Sequence, residues 1–392
     1  MEGSEVKKRC YLDWAATAIP ESEAAIPEYS AFGNPSSPHL EGRNAREALE
    51  KARSRCAKVL GVPPETLYFT SGGTESNALA LHSLLLRTGS SSARGRLLYS
   101  GAEHPSVREN CLVLERLGIK AGVIGVEKDG RVSEASLSRA LEKYPDTRFA
   151  ALMGVNNETG SINDIPALVS LVRSNQKKTN LPLHFHSDLV QALGKVPIDL
   201  AGWDLDSASF SAHKLGGPRG IGLLYLKKPI ETLCKGGEQE RSVRPGTENT
   251  FGAQVFAGVL EKRARPDIVQ AEGKKAGERF RYLISNIKKL DRSRLIPSDR
   301  EEDDARFSPW ILQMSFREVP GSVMVRALDD EGVAVSTGSA CSSSSPQRPV
   351  LAAMGVDEHG RREGIRISQG WSTELSDMDT LLRAAGKVLS YL

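Results

Sequence analysis

Between Lys58 and Gly222 the sequence alternates short apolar runs with amphipathic stretches, and this alternation constrains the fold more than any other feature. It is typical of β-strands joined by crossover helices in a parallel sheet. The predicted strands are Thr66–Thr70, Arg96–Ser100, Ala121–Gly125, Phe149–Val155, Leu183–Ser187, Ser207–Ser211 and Gly220–Tyr225. Almost every strand ends in a polar or Gly-rich turn, and open α/β sheets bind ligands at such ends. The sequence therefore predicts an α/β domain with a ligand site at the strand ends.

A different pattern follows this region. Phe256–Lys289 predicts one long, charged, amphipathic helix, and the polar stretch Asp291–Ser308 predicts a surface loop or a domain junction. Further strands are predicted at Ile311–Phe316, Val333–Ser336 and Ile365–Ser368, and helices at Gly321–Asp330 and Ser376–Tyr391. A chain of 392 residues is longer than single cores usually become. We therefore expect a large domain over residues 15–255 and a smaller α+β domain formed by residues 1–14 and 256–392.

The composition excludes several classes of protein. A net charge of +3, without a concentrated basic patch, argues against nucleic acid or an acidic membrane surface as the main partner. Met1–Arg9 is polar, and no apolar run is long enough for a secretory signal or a membrane span, so we expect a cytoplasmic protein. The five cysteines are scattered without CxxC spacing, which indicates neither a disulfide framework nor a metal site.

Lys214 is the first candidate for chemistry. It follows the small-residue strand Ser207–Ser211 and precedes Gly216 and Gly217, which let the backbone turn sharply. A lysine in such a cleft can form a Schiff base once burial or nearby cations make its amine nucleophilic. Most single lysines are solvated surface residues, but Ser211 and His213 beside this one are both able to hold a phosphate.

The segment Thr70–Asn77 closes one strand and opens an apolar helix at about Ala78. Free backbone N–H groups and the helix dipole bind phosphate at such a position, which makes Gly73 and Thr74 candidate contacts. The alternative is an ordinary helix start capped by Ser71 or Thr74. A phosphate site at one strand end and a Schiff-base lysine at another are two halves of one cofactor, pyridoxal 5′-phosphate.

Polar residues at three further strand ends fit the same cofactor. Asp188 can pair with the pyridinium nitrogen and keep the ring an electron sink, while Gln191 suits the phenolic oxygen. His104 can stack on the ring and move protons near neutral pH. Asn157 can contact the cofactor or a substrate carboxylate. The alternatives are a helix cap for Asp188, a structural role for His104 and an Asx turn at Asn157.

Several motifs together carry a resemblance to a known family. Their order along the chain is Tyr11–Thr17, Gly33–Ser37, Thr70–Asn77, Glu103-His104, Val155–Gly160, Asp188–Gln191, Ser211–Lys214 and Arg244–Asn249. This order is similar to that of class V aminotransferase-fold enzymes, and the sequence most resembles the cysteine desulfurases. The resemblance extends from Tyr11 to about Trp371. It implies the pyridoxal-phosphate-dependent transferase fold of type I, similar to aspartate aminotransferase, with a mainly parallel sheet in the large domain.

The segment Val335–Ser344 looks like the longer form of that family's catalytic cysteine loop. The resemblance implies that Cys341 carries the persulfide and that Arg366 binds the substrate carboxylate, helped by Asn34 and Asn157. It also implies that Thr247 reaches the cofactor phosphate of a neighbouring subunit, and hence a homodimer. The alternative for Cys341 is a chance cysteine in a flexible linker.

The reaction implied is removal of sulfur from L-cysteine, giving L-alanine and a persulfide on Cys341. Lys214 and His104 would transfer protons, and a sulfur-acceptor protein such as an iron–sulfur scaffold would receive the sulfur. Three alternatives stay open: a selenocysteine lyase, another class V enzyme such as an aminotransferase or a kynureninase-like enzyme, and a non-catalytic sulfur-relay scaffold.

Overall fold

A computed structural model describes residues 9–21, 31–86, 95–338 and 348–392. The strands are β1 Cys10–Tyr11, β2 Leu67–Thr70, β3 Arg96–Ser100, β4 Lys120–Ile124, β5 Thr147–Ala151, β6 His184–Asp188, β7 Ser207–Ser211, β8 Gly222–Leu226, β9 Ser293–Leu295, β10 Ile311–Phe316, β11 Val333–Ala334 and β12 Ile365–Ser368. The α-helices are α1 Leu40–Leu60, α2 Gly73–His82, α3 Pro105–Arg116, α4 Glu134–Lys143, α5 Ile165–Thr179, α6 Thr250–Arg263, α7 Pro266–Ile287, α8 Gly321–Asp330, α9 Pro349–Ala353, α10 Glu358–Glu363 and α11 Leu375–Leu389.

The larger sheet contains all seven strands predicted between Thr66 and Tyr225, and it confirms the α/β fold. Its strand order is β2-β8-β7-β6-β5-β3-β4. Strands β3 to β7 pair in parallel, while β8 runs antiparallel to both of its neighbours. The observed strand bounds differ from the predicted ones most at β5, which ends at Ala151 and not at Val155.

Alternating residues of the strands explain how both faces of this sheet are covered. Leu67, Phe69 and Leu98 belong to the core on one face. Tyr68 and Leu97 belong to a separate core on the other face. Because successive strand residues point to opposite faces, helices on both sides bury apolar surface against a single layer of strands. This packing holds the strand ends, where the candidate ligands lie, in fixed positions.

For the region after Phe256 one prediction is wrong, and of the two alternatives for Asp291–Ser308, a surface loop or a domain junction, the surface loop is wrong. The single long helix is two helices, α6 and α7, because Pro266 lacks an N–H and starts a new helix as its first residue. The expected surface loop Asp291–Ser308 contains β9, which pairs antiparallel with β10. It also contains the buried Arg300, which donates to the carbonyls of Thr159 and Ile311. Within the described residues, no helix combines the length and the apolarity needed to cross a bilayer.

The N-terminal segment joins the C-terminal part of the structure. β1 pairs in parallel with β11, and Asp13 forms a bridge to Ser368 at the end of β12. β9, β10 and β12 form a small antiparallel sheet with its own apolar core. The exact division into domains over residues 15–255, and over 1–14 with 256–392, stays a prediction.

A buried ion pair ties α1 to the loop before α6, and we expect its loss to destabilise the fold. Arg53 and Glu240 are 2% and 1% exposed at their side chains, with two N–H···O bonds of 2.7 Å between them. We expect Glu240→Gln to lower the free energy of unfolding by about 3–5 kcal/mol, because it leaves the Arg53 charge buried without its main partner.

The matched control is Glu261→Gln, which breaks the half-exposed pair of Glu261 with Arg55. That change is expected to cost about 0–1 kcal/mol, because solvent screens the exposed pair. Urea unfolding of the two variants measures the difference, and equal losses would contradict the importance given to the buried pair.

Candidate active site

The described residues enclose a cavity of about 270 Å³ beyond the carboxyl ends of β3, β5, β6 and β7. Most of the predicted site residues line it, and the structure therefore brings them together. They are Gly73, Thr74, His104, Asn157, Asp188, Gln191, Ser211, His213, Lys214 and Arg366. The other lining residues are Ala15, Ala16, Ser106, Met153 and Val190.

Lys214 lies in a single 3₁₀ turn, Ala212–Lys214, immediately after β7. Its Nζ donates to the carbonyl oxygens of Ala15 and Ala16, at 2.6 and 2.7 Å. Gly216 follows with a φ of 93°, which favours glycine and turns the chain away from the cavity. The turn thus presents the amine to the cavity, against carbonyls supplied by the N-terminal segment.

The start of α2 has the backbone geometry that can hold an anion. Its N-cap is Gly72, with a φ of 150° and no side-chain cap, so the alternative that Ser71 or Thr74 caps this helix is wrong. A Cβ on Gly73 would lie 2.6 Å from Cγ2 of Val190, which lines the cavity. Small residues therefore bring uncapped N–H groups close to the cavity, where the helix dipole also favours a phosphate.

A hydrogen-bonded chain of side chains links Asp188 to His104. The Nδ2 of Asn77 donates to Oδ2 of Asp188 and to Oγ of Ser106, both at 2.8 Å. Ser106 Oγ lies 2.8 Å from Nδ1 of His104. Asn77 and Ser106 were not singled out from the sequence, although Asn77 ends the segment Thr70–Asn77 and Ser106 lies two residues after His104. Their contacts join α2, α3 and β6, so this chain of bonds fixes the carboxylate and the imidazole relative to each other.

His104 is both a helix cap and a cavity residue. Its Nδ1 accepts from the backbone N–H of Ser106 at 3.1 Å, which caps α3 and leaves the ring proton on Nε2. Burial lowers the pKa of His104 below its usual value, partly opposed by the charge of Asp188. Burial and then the cation of Lys214 lower the pKa of His213 to about 4. Near pH 7 both rings are therefore neutral donors.

Arg366 and Asn157 form the polar end of the cavity. Arg366 is 2% exposed, and it donates to the Asn157 carbonyl at 2.9 Å and to Oδ1 of Asp13 at 2.7 Å. The Asx turn here is made by Asn156, whose Oδ1 accepts from the Glu158 and Thr159 N–H groups. Asn157 Oδ1 and Arg366 Nε are buried without a partner in the described structure. The Nε of Arg366 can donate to a ligand carboxylate, and the Oδ1 of Asn157 can accept from a ligand donor.

Two predicted residues of the described chain, Asn34 and Thr247, do not line the cavity. Asn34 is exposed, and its Oδ1 accepts from the N–H of Ser36 at 2.9 Å. Thr247 is exposed in the loop before α6. Cys341 lies outside the described residues. The roles expected of all three stay predictions.

Comparison with known proteins places the chain in a family. The model for class-V aminotransferases matches residues 10–381. A cysteine desulfurase IscS from Dictyoglomus turgidum is 35% identical over 99% of this chain and 96% of its own length. A cysteine desulfurase IscS from Methanosarcina thermophila is 33% identical over 100% of this chain and 95% of its own length.

Solved structures agree with these relatives. A NifS-like protein superposes with a TM-score of 0.87 at 32% identity, covering 98% of this chain and 100% of its own. A structure described as SspA in complex with cysteine gives a TM-score of 0.76 at 27% identity, covering 91% of this chain and 98% of its own. The chain therefore belongs to the class-V aminotransferase family, and within that family to the cysteine desulfurases.

Membership of this family implies pyridoxal 5′-phosphate, and the cavity fits that cofactor. The fit rests on an amine at Lys214, an uncapped helix N-terminus at Gly73, and the carboxylate of Asp188. The unpartnered Oδ1 of Asn157 adds a free acceptor. In the described part of the chain, no group of three or more His, Cys, Asp or Glu side chains could hold a metal ion.

Proposed function

We propose that this protein holds pyridoxal 5′-phosphate on Lys214 and uses it to take sulfur from L-cysteine. The Cβ–S bond of cysteine breaks, L-alanine leaves, and the sulfur stays on Cys341 as a persulfide, Cys–S–SH. The observation that carries this proposal is the meeting of the Lys214 amine, the Asp188 carboxylate and the Arg366 guanidinium around one cavity. An amine, a carboxylate and a carboxylate-binding group are what the chemistry of an α-amino acid on this cofactor requires.

The roles of the cavity residues follow from their chemistry. When bound, the cofactor supplies an electron sink for the negative charge left at the substrate Cα. Asp188 holds the proton on the ring nitrogen, and Gln191 donates to the phenolic oxygen. Lys214 removes and returns the Cα proton, while His104 assists proton transfer at the sulfur and product carbons through its Nε2.

Two further sets of residues bind the charged groups. The phosphate contacts are Gly73, Thr74, Ser211 and His213, with Thr247 from a neighbouring subunit. Arg366 binds the substrate carboxylate with the donors that Asp13 and Asn157 leave available, helped by Asn34 and the Asn157 side chain. This set orients the substrate Cα proton towards Lys214.

The other cysteines are poor candidates for the sulfur carrier, which supports Cys341. Burial raises the pKa of Cys10 and of Cys56 to about 12, and it also raises the pKa of Cys111. Thiolates are the nucleophiles in sulfur transfer, so these three thiols are inert near pH 7. Cys234 is exposed but does not line the cavity. Cys341 is the cysteine that remains.

The proposal includes partners. A homodimer would bring Thr247 of one subunit to the phosphate site of the other. A sulfur-acceptor protein, such as an iron–sulfur scaffold, would take the sulfur from the Cys341 persulfide. A cytoplasmic location stays a prediction from the sequence.

The direct test is a reaction of the cofactor-loaded protein with L-cysteine and an added thiol. We expect alanine and sulfide in equal amounts. In a single turnover without the thiol, mass spectrometry should find one extra sulfur on the peptide that contains Cys341. Keto-acid products without alanine would contradict the proposal and indicate an aminotransferase. Selenocysteine is the comparison substrate, because a selenocysteine lyase would turn it over while sparing cysteine.

A further inference from the structure

Lys195 is a buried cation that the proposed reaction does not use. It lies in the turn after β6 and is 3% exposed. Its Nζ donates to Oε1 of Gln191 at 2.9 Å, across one turn of chain. No carboxylate of the described residues forms an ion pair with it. Burying an ammonium group beside a neutral partner costs free energy of folding, which favours a role for Lys195 beyond packing.

The contact with Lys195 fixes the orientation of Gln191. A lysine ammonium only donates hydrogen bonds, so the amide oxygen of Gln191 must face a charged Lys195, as it does here. The amide nitrogen then faces the cavity side, where it donates to the carbonyl of Ala15 at 2.9 Å. Gln191 is 4% exposed and lines the cavity, so this orientation presents N–H to whatever the cavity binds.

The same bonds connect Lys195 with Lys214. The carbonyl oxygen of Ala15 accepts both from Gln191 and from Lys214 Nζ, at 2.9 and 2.6 Å. Burial, and then the charges of Lys214 and Arg366, lower the pKa of Lys195 to about 7. The influence is mutual, because a charge on Lys195 also disfavours a proton on Lys214. The other titratable groups that line the cavity are His104, Asp188 and His213.

We propose that Lys195 is a positioning residue, which holds the Gln191 amide with its nitrogen towards the cavity, at the Ala15 carbonyl that also accepts from Lys214. This inference rests on the proposed function only in that it assigns Lys214 as the reactive amine. The charge of Lys195 acts on Lys214 in a fixed direction. A charged Lys195 opposes a proton on Lys214, so its removal favours that proton.

The test uses Lys195→Met, which removes both the donor and the charge. In the cofactor-loaded full-length protein without substrate, a titration of the visible absorption reports protonation at Lys214. We expect its midpoint to rise by about 1 pH unit and the cofactor to dissociate about 10-fold more readily. A purely structural role for Lys195 would leave the midpoint unchanged. Lys228→Met, at an exposed position, is the control for loss of one positive charge.

Two additions keep the test decisive. Lys195→Gln replaces the charge by a polar side chain of similar length. It is the substitute variant if Lys195→Met fails to fold, and it must also raise the midpoint of the titration. In the cofactor-free chain, the pH dependence of Lys214 acetylation by acetic anhydride, followed by mass spectrometry, must shift in the same direction. Unchanged midpoints in both assays overturn the role of Lys195. A wild-type protein that binds no cofactor would instead contradict the proposed function, and the acetylation assay would still test Lys195.

Discussion

Lys214→Ala is expected to lose the visible absorption of the bound cofactor and to lower the rate of alanine formation about 10³-fold or more. The variant has no amine for covalent attachment, and it also lacks the base for the Cα proton, a role that by itself contributes about 10²–10⁴-fold. The fold should survive, because the carbonyls of Ala15 and Ala16 lie at the cavity and can bind water in place of Nζ. Absorption spectra and an alanine assay measure both effects.

Lys214→Arg is the informative companion variant. It keeps a positive charge and several donors, but a guanidinium does not deprotonate in proteins and forms no such attachment. We expect it to be as inactive as the Ala variant, while Lys228→Ala at an exposed position stays fully active. Substantial alanine formation by Lys214→Arg would mean that Lys214 serves the site only as a cation.

Cys341→Ala is expected to separate the two halves of the reaction. The visible absorption should stay as in the wild type, because the residues assigned to the cofactor are unchanged. Alanine formation should fall by about 10³-fold or more, because the nucleophile that accepts the sulfur is gone. No persulfide should appear on any remaining cysteine, because Cys10, Cys56 and Cys111 are buried and Cys234 does not line the cavity.

Cys234→Ala is the matched control, because Cys234 is the exposed cysteine of the described residues. We expect it to form alanine and persulfide at wild-type rates. If Cys341→Ala desulfurates cysteine normally, the assignment of the sulfur carrier is wrong. Retained activity towards selenocysteine alone would support a lyase that spares the thiol.

The strands of the larger sheet could be predicted from sequence because each is a short apolar run bounded by turn residues. A strand that is buried on both faces of a sheet needs apolar residues at nearly every position, and such a run can be recognised in the sequence. The error at Phe256–Lys289 has a local cause. The helical periodicity of the side chains continues through Pro266, but the backbone helix is interrupted before this proline. Strand β9 was missed because it has only three residues. It is held in place by antiparallel pairing with β10, which follows it in the chain.

The cavity residues were predictable where they end a strand, as Asp188 does, or lie in the turn directly after one, as Lys214 does. Their supporting residues were not. Asn77 contacts Asp188 across 111 positions of sequence, and Asp13 contacts Arg366 across 353. Such contacts depend on how whole elements pack, and a pattern within a window of residues carries no information about them. Lys195 was missed for the same reason, because the sequence does not show that its amine is buried.

The position of the N-terminal segment affects the order in which the site can be completed. The acceptors of Lys214 are the carbonyls of Ala15 and Ala16, and Ala15 is itself held by its N–H bond to Oγ of Ser368, at 2.9 Å. During synthesis the large sheet and α6, which completes the core on one of its faces, are available once residue 263 has left the ribosome. The carbonyls opposite Lys214 gain their anchor only when residue 368 has followed. A truncated chain can thus form the sheet but lacks the anchor for one wall of its active site.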